Sequence, residues 1–280
     1  MHALRCAPIL ILLMTQTIYG STSQRLNDIE YGTSSTGLSL CFDAAIPAAD
    51  TPVPAAIIVH GGAWVRGDRR VNVAPLFQPL SDAGFAWFSI SYTLAGNPLQ
   101  VGSAVADVEA AVRFIRSHAT EYHIDANRIA LIGESAGGQL AAMAALNSEP
   151  ETMVKGVVAL YTPTDLVTMA RTSTLLSPEL RKQLDGTFFE RLLLERLGQL
   201  SPIKKVRKDM PPFLFIHGDS DRIVPLEQSR AMCEAMKTAG ASCELFTVPG
   251  AGHGLRWWES SPEKALPYKR EMVKWLLKRI

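Results

Sequence analysis

The chain has 280 residues, 47% of them hydrophobic, which suffices for one large domain with a substantial core and argues against global disorder. Its 28 basic and 27 acidic side chains nearly cancel, leaving a formal net charge of +1. That balance disfavours nucleic acid or an anionic membrane surface as the main partner. The local basic cluster Lys204, Lys205, Arg207 and Lys208 has no interleaved aromatics and reads as a solvated loop.

The chain opens with a segment unlike the rest. Arg5 is the only formal charge before Arg25, residues 7–14 form a short apolar run, and Gly20, Ser21, Thr22 and Ser23 follow it. This is the pattern of a secretory signal peptide, and the run falls well short of the ~20 residues that span a bilayer. A leader over residues 1–23 is therefore expected, with a secreted or periplasmic mature chain that has no membrane span. Cys6 falls in that leader, so Cys41, Cys233 and Cys243 remain. Cys233 sits on a predicted helix and Cys243 begins the next predicted strand. A bridge between them is one expectation in an exported protein, and buried thiols are the other.

From Gly37 onward the pattern is α/β, and residues 24–280 read as one domain. Residues 38–42 alternate like a half-buried strand, whereas 55–59 and 85–92 are continuous apolar runs suited to strands covered on both faces. Between 101 and 118 the period becomes helical, with Val101, Ala104, Val105, Val108, Val112 and Ile115 on one stripe. A strand over 128–132 leads into a helix beginning near Gly138. Residues 154–160, 212–216 and 244–248 read as further strands, and 226–239 and 263–280 as helices. Strands alternating with helices predict a mainly parallel sheet with helices on both faces. Residues 166–200 interrupt the alternation at a strand's carboxyl end, where open α/β sheets bind ligands, and are expected to form a small lid.

The most informative motif is Gly133-Glu134-Ser135-Ala136-Gly137, lying between a strand and a helix. A serine on such a turn has its hydroxyl pushed into the cleft, and the helix start leaves N–H groups free for an anion. A serine nucleophile also needs a base, an orienting carboxylate and an oxyanion site. The base candidate is His253, in the glycine-rich loop Gly250-Ala251-Gly252-His253-Gly254 after the last predicted strand. The carboxylate candidate is Asp221, in His217-Gly218-Asp219-Ser220-Asp221, with Asp219 competing. The oxyanion donors are expected in His60-Gly61-Gly62-Ala63-Trp64, where Gly62 and Ala63 N–H groups join that of Ala136. His60 reads as a buttress for that loop.

These four ordered motifs resemble the α/β-hydrolase esterases. The similarity is strongest to the branch holding feruloyl-esterase-like, acetylxylan-esterase-like and kynurenine-formamidase-like enzymes, near the hormone-sensitive lipase group. It covers the chain from about Gly37 to the end. The resemblance implies the α/β-hydrolase fold and a serine esterase acting through an acyl-enzyme on a small ester, with an acylated sugar or a hydroxycinnamoyl ester as candidates. It also implies that Asp221, the second aspartate of its loop, is the acid. Two departures stand out. The stretch before His60 is too short for a strand pair plus the helical cap common near that group. Thr93 follows Tyr92 where relatives often carry arginine.

No metal or organic cofactor is expected, because no Cys-x-x-Cys or His-Glu-x-x-His spacing occurs. Trp64, Trp257 and Trp258 flank the site loops and are candidates for substrate binding, with core packing as the competing reading. An amidase, arylformamidase or peptidase on the same triad is the alternative within enzymes, and a non-catalytic binding module the alternative outside them. Nothing in the sequence speaks to oligomeric state.

Overall fold

The computed structural model describes residues 23–96, 101–147, 149–172 and 185–280. The expected leader lies outside them except for Ser23, as does the middle of the expected lid, residues 173–184. Among the described residues no helix is long and apolar enough to cross a membrane.

Eight strands form one sheet: β1 (Gln24–Thr33), β2 (Ser39–Ile46), β3 (Val53–Val59), β4 (Ala86–Ile90), β5 (Ile124–Glu134), β6 (Gly156–Leu160), β7 (Phe213–Gly218) and β8 (Cys243–Val248). Their order is β1-β2-β4-β3-β5-β6-β7-β8. Strand β2 runs antiparallel to β1 and β4, and every other pairing is parallel. This is the α/β-hydrolase fold.

The continuous apolar runs are explained by the two-sided cover. Successive side chains of a strand point to opposite faces. Along β3, Ala55, Ile57 and Val59 enter one core, while Ala56 and Ile58 enter the other. The first core is closed by α2 (Gly102–Ser117), α3 (Ala136–Leu146) and α6 (Glu227–Thr238). The second is closed by α1 (Phe77–Asp82) and the C-terminal α8 (Pro262–Arg279), whose Tyr268, Met272, Trp275 and Leu276 are buried. The helix predicted over 101–118 sits at α2 with Val105, Val108, Val112 and Ile115 inward, as its stripe requires.

Strand β1 and helix α1 are among the elements that escape the sequence patterns. Strand β1 has only Leu26 and Tyr31 buried among ten residues and carries two register shifts, so its alternation is broken. Helix α1 is only six residues long. The β1–β2 hairpin is tied to the loop after β3 by an ionic cluster, in which Arg69 and Arg70 both bond Asp28 and Asp43.

Within the expected lid, α4 (Leu166–Thr172) and α5 (Phe188–Gln199) are helical. Their roots are pinned together: Leu166 N–H donates to Ser201 Oγ at 2.9 Å and Ile203 N–H to Thr164 O at 3.1 Å. Cys233 of α6 and Cys243 of β8 are disulfide-bonded, with Cα atoms 5.4 Å apart. Cys41 is buried in β2.

Candidate active site

The four predicted motifs all lie at the carboxyl edge of the sheet, following β3, β5, β7 and β8. Ser135 occupies the single residue between β5 and α3, with φ 51° and ψ −120°. These are the dihedrals of the first central residue of a type II′ turn, a position dominated by glycine. The surrounding glycines are steric requirements. A β-carbon on Gly133 would lie 2.3 Å from the Gly137 carbonyl oxygen, and one on Gly137 would lie 2.3 Å from the carbonyl oxygens of Val59 and His60. The helix can therefore start hard against β3, and its first residue, Ala136, directs its N–H out of the helix end.

Ser135, His253 and Asp221 come together in a chain of hydrogen bonds. Ser135 Oγ lies 2.9 Å from His253 Nε2, and His253 Nδ1 donates to Asp221 Oδ2 at 2.7 Å. The carboxylate fixes which nitrogen carries the proton, leaving Nε2 able to accept from the serine hydroxyl. The other carboxylate oxygen, Oδ1, accepts from Ile223 N–H at 2.8 Å and Val224 N–H at 2.9 Å. Burial pushes the Asp221 carboxyl up, but the bonds from His217, His253 and Val224 outweigh it and hold the group well below the usual carboxylate range.

Asp219, the competing aspartate, points elsewhere. Its Oδ1 accepts from Gly250 N–H at 2.7 Å, while Ser220 N–H donates to Ala251 O at 3.1 Å. The aspartate loop and the histidine loop are thereby zipped side by side, which sets His253 over Asp221. His217 supports the same loop: its Nε2 donates to Val224 O at 2.8 Å and its Nδ1 pairs with Ser229 Oγ at 2.7 Å.

On the other side of Ser135, the loop after β3 turns through three consecutive positive φ values, at Gly62 (122°), Ala63 (53°) and Trp64 (65°). Val65 and Arg66 N–H groups both bond the Gly62 carbonyl. Among the described residues no protein acceptor meets the N–H of Gly62 or Ala63. His60 behind them is buried, donates from Nδ1 to Gly61 O at 2.8 Å and stacks on Tyr92 at 4.4 Å. Burial pushes its pKa down, in keeping with a neutral buttress. Tyr92 donates to His60 O at 2.9 Å, and the next residue, Thr93, gives its N–H to the buried Asp107 at 2.7 Å.

The three tryptophans separate. Trp257 is 64% exposed beside the histidine loop. Trp64 is half-buried, and its indole N–H donates to Gln139 Oε1 at 2.9 Å. Trp258 does not fit the expectation of substrate contact: it is fully buried, donates to Gly252 O at 2.7 Å and packs edge-on against Tyr161 and Tyr268. It supports the histidine loop from below, because α7 (Leu255–Trp258) turns its side chain into the second core.

Three residues of the site carried no sequence signal. The buried Gln139 links Trp64 to the C-terminal end of α5, since its Nε2 donates to Leu200 O at 2.7 Å. Glu134 and Tyr161 are buried beside Ser135 and bond each other. Only the contact pattern of the folded chain reveals them.

Residues 42–236 match the BD-FAE family. Esterase LipC of Mycobacterium tuberculosis is 33% identical over 224 residues, which make up 73% of this chain and 53% of LipC. The chain spans about half the length of the curated relatives it matches. A truncated carbohydrate esterase from gut microbiota is 27% identical with a TM-score of 0.72, over 93% of this chain and 96% of that one. Butyrate-bound esterase 2 of Thermogutta terrifontis is 26% identical with a TM-score of 0.71, over 92% of this chain and 94% of that one. With its family match running from β2 to α6 and its sheet, elbow and loops arranged as described, the chain belongs to the BD-FAE family within the α/β-hydrolase fold.

Proposed function

We propose that this chain is a serine carboxylester hydrolase acting through an acyl-enzyme. The observation that carries the reading is the continuous path from Ser135 Oγ through His253 to Asp221, at 2.9 and 2.7 Å, with the serine on a positive-φ turn. His253 takes the Ser135 proton as the oxygen attacks an ester carbonyl, and Asp221 stabilises the imidazolium that forms. The N–H groups of Gly62, Ala63 and Ala136 hold the tetrahedral oxyanion. His253 then protonates the departing alcohol, and water frees the acid by the reverse sequence.

The substrate is a small ester. Butyrate in a structural neighbour supports a short acyl group, and the carbohydrate esterase neighbour supports an acylated sugar on the alcohol side. Trp257, exposed beside His253, and the half-buried Trp64 are the surfaces proposed to receive it. The helices at 166–172 and 188–199 form the lid over that entrance. Export to the periplasm or outside the cell is supported by the Cys233–Cys243 bridge, since disulfides persist in oxidising compartments. Thiol titration of the denatured, unreduced protein should detect the Cys41 thiol, with Cys6 added if the leader is retained.

The test is hydrolysis of p-nitrophenyl acetate and butyrate, acetylated xylo-oligosaccharide, a feruloyl ester and an aryl formamide. Short esters should turn over fastest, and Ser135→Ala should abolish turnover while the protein stays folded. Retained turnover in that variant refutes the nucleophile, and preference for the formamide replaces the esterase reading with the amidase one. A fluorophosphonate probe should label Ser135, and folded protein that resists labelling is a binding module.

A further inference from the structure

Glu134 precedes the proposed nucleophile and is 5% exposed, an unusual place for a carboxylate. Its two oxygens serve two different loops. Oε1 accepts from Gly61 N–H at 3.0 Å, on the loop that carries Gly62 and Ala63. Oε2 accepts from the hydroxyl of Tyr161. The Tyr161 phenol oxygen in turn accepts from Leu255 N–H at 3.0 Å, two residues beyond His253, and the Tyr161 ring meets the His253 imidazole edge-on at 4.7 Å between centroids. One carboxylate is thus bonded on one side to the oxyanion loop and, through one phenol, to the histidine loop on the other.

The backbone bears the same signature. Tyr161 follows β6 with φ 37°, a left-handed conformation that costs a non-glycine residue roughly 1–2 kcal/mol. Its N–H still bonds Ile216 O at 2.8 Å, so the strand pairing continues while the ring is turned beneath the histidine loop. Gly61 leaves no slack either, because a β-carbon there would lie 3.0 Å from both the backbone oxygen and Oε1 of Glu134. Both carboxylate oxygens accept, and the phenol donates its one proton while accepting from Leu255. This pattern is complete when Glu134 is ionised, although burial pushes its pKa up. A protonated Glu134 would have to donate to Tyr161, leaving the phenol proton without a partner.

We propose that Glu134 is a positioning residue that holds the oxyanion loop and, through Tyr161, the His253 loop in register on either side of Ser135. The inference rests on the esterase reading above. Misplacing such groups by about 1 Å costs on the order of a hundredfold in rate, so the effect belongs in turnover rather than in substrate affinity.

The test compares Glu134→Gln, Tyr161→Phe, the double variant and Ser135→Ala in p-nitrophenyl acetate hydrolysis, with circular dichroism and thermal melts as folding controls. Glutamine keeps the bond to Gly61 but reverses the one to Tyr161. Glu134→Gln should lower kcat about 10–100-fold with KM within about twofold. Tyr161→Phe should lower kcat in the same direction, and the double variant should lose much less than the product of the two single losses, because the residues act as one unit. Folded Glu134→Gln with wild-type kcat, or with a loss confined to KM, overturns the inference. If Glu134→Gln does not fold, Tyr161→Phe decides, since it removes one hydroxyl and keeps the ring: wild-type kcat overturns the inference. Turnover that survives Ser135→Ala defeats the esterase reading itself. Turnover lost in Ser135→Ala but intact in Glu134→Gln defeats only the role given to Glu134.

Discussion

Replacing Ser135 with glycine should make the protein more stable than replacing it with alanine. Both variants lose the hydroxyl and its 2.9 Å bond to His253, so the comparison isolates the backbone. At φ 51° and ψ −120° an L-residue carries roughly 1–3 kcal/mol of strain, which glycine does not. Against this, glycine gives the unfolded chain more freedom, costing about 0.4–1 kcal/mol. The missing β-carbon, half-buried here, costs roughly 0.4 kcal/mol more. The balance is about 1 kcal/mol in favour of glycine, which in a domain of this size raises the melting temperature by about 2–4 °C. Thermal unfolding of both variants measures it, and neither variant should hydrolyse p-nitrophenyl acetate. If the glycine variant melts at or below the alanine variant, the elbow stores no strain and the argument from its dihedrals is wrong.

The two aspartates of the loop after β7 should differ sharply in turnover: Asp221→Asn should cost about 10⁴-fold by giving His253 the wrong tautomer, and Asp219→Asn less than about tenfold, because the amide oxygen can still accept from Gly250 N–H and Ser220 Oγ; the reverse ranking in kcat would reassign the acid. Burial pushes the Asp43 carboxyl up, but bonds from Arg70, Asp28 N–H and Arg69 hold it below its ordinary value. Its contribution is therefore present above the unfolded carboxylate pKa of about 3.9 and lost as pH falls through the lower folded value. The melting-temperature gap between wild type and Asp43→Asn should close as pH drops below about 4, and a gap that persists to pH 2 removes this origin for it. Trp258→Ala should destabilise by about 3–5 kcal/mol, read by denaturant titration, as expected for a fully buried indole. Trp257→Ala should leave stability unchanged within about 0.5 kcal/mol and raise KM for the preferred ester; equal losses in the two variants would mean that both are core residues.

Much of the fold was legible because it is written locally. Strands covered on both faces appear as unbroken apolar runs: β4 lies within 85–92, and β3 contains 55–59 and begins two residues earlier. Strand β1 was hidden because a bulged edge strand with two buried residues has no period to read. The elbow and the three loops around it were legible for a related reason. Gly133 and Gly137 stand where any β-carbon would strike backbone, so the local fold leaves its mark in residue type.

The choice between neighbours was not legible in the same way. Trp257 and Trp258 give one signal in sequence, yet the turn of one short helix leaves the first 64% exposed and the second buried. Asp219 and Asp221 share a loop, and only the approach of the β8 loop gives Gly250 to one and His253 to the other. Glu134, Tyr161 and Gln139 bond across 27 to 75 residues of chain, distances over which no residue pattern runs. The sequence by itself determined the layered fold and the four turns, because backbone sterics and burial act on a residue and its near neighbours. The tertiary structure alone decided which side chains meet across those turns, because a hydrogen bond depends on where two distant loops are carried by the sheet beneath them.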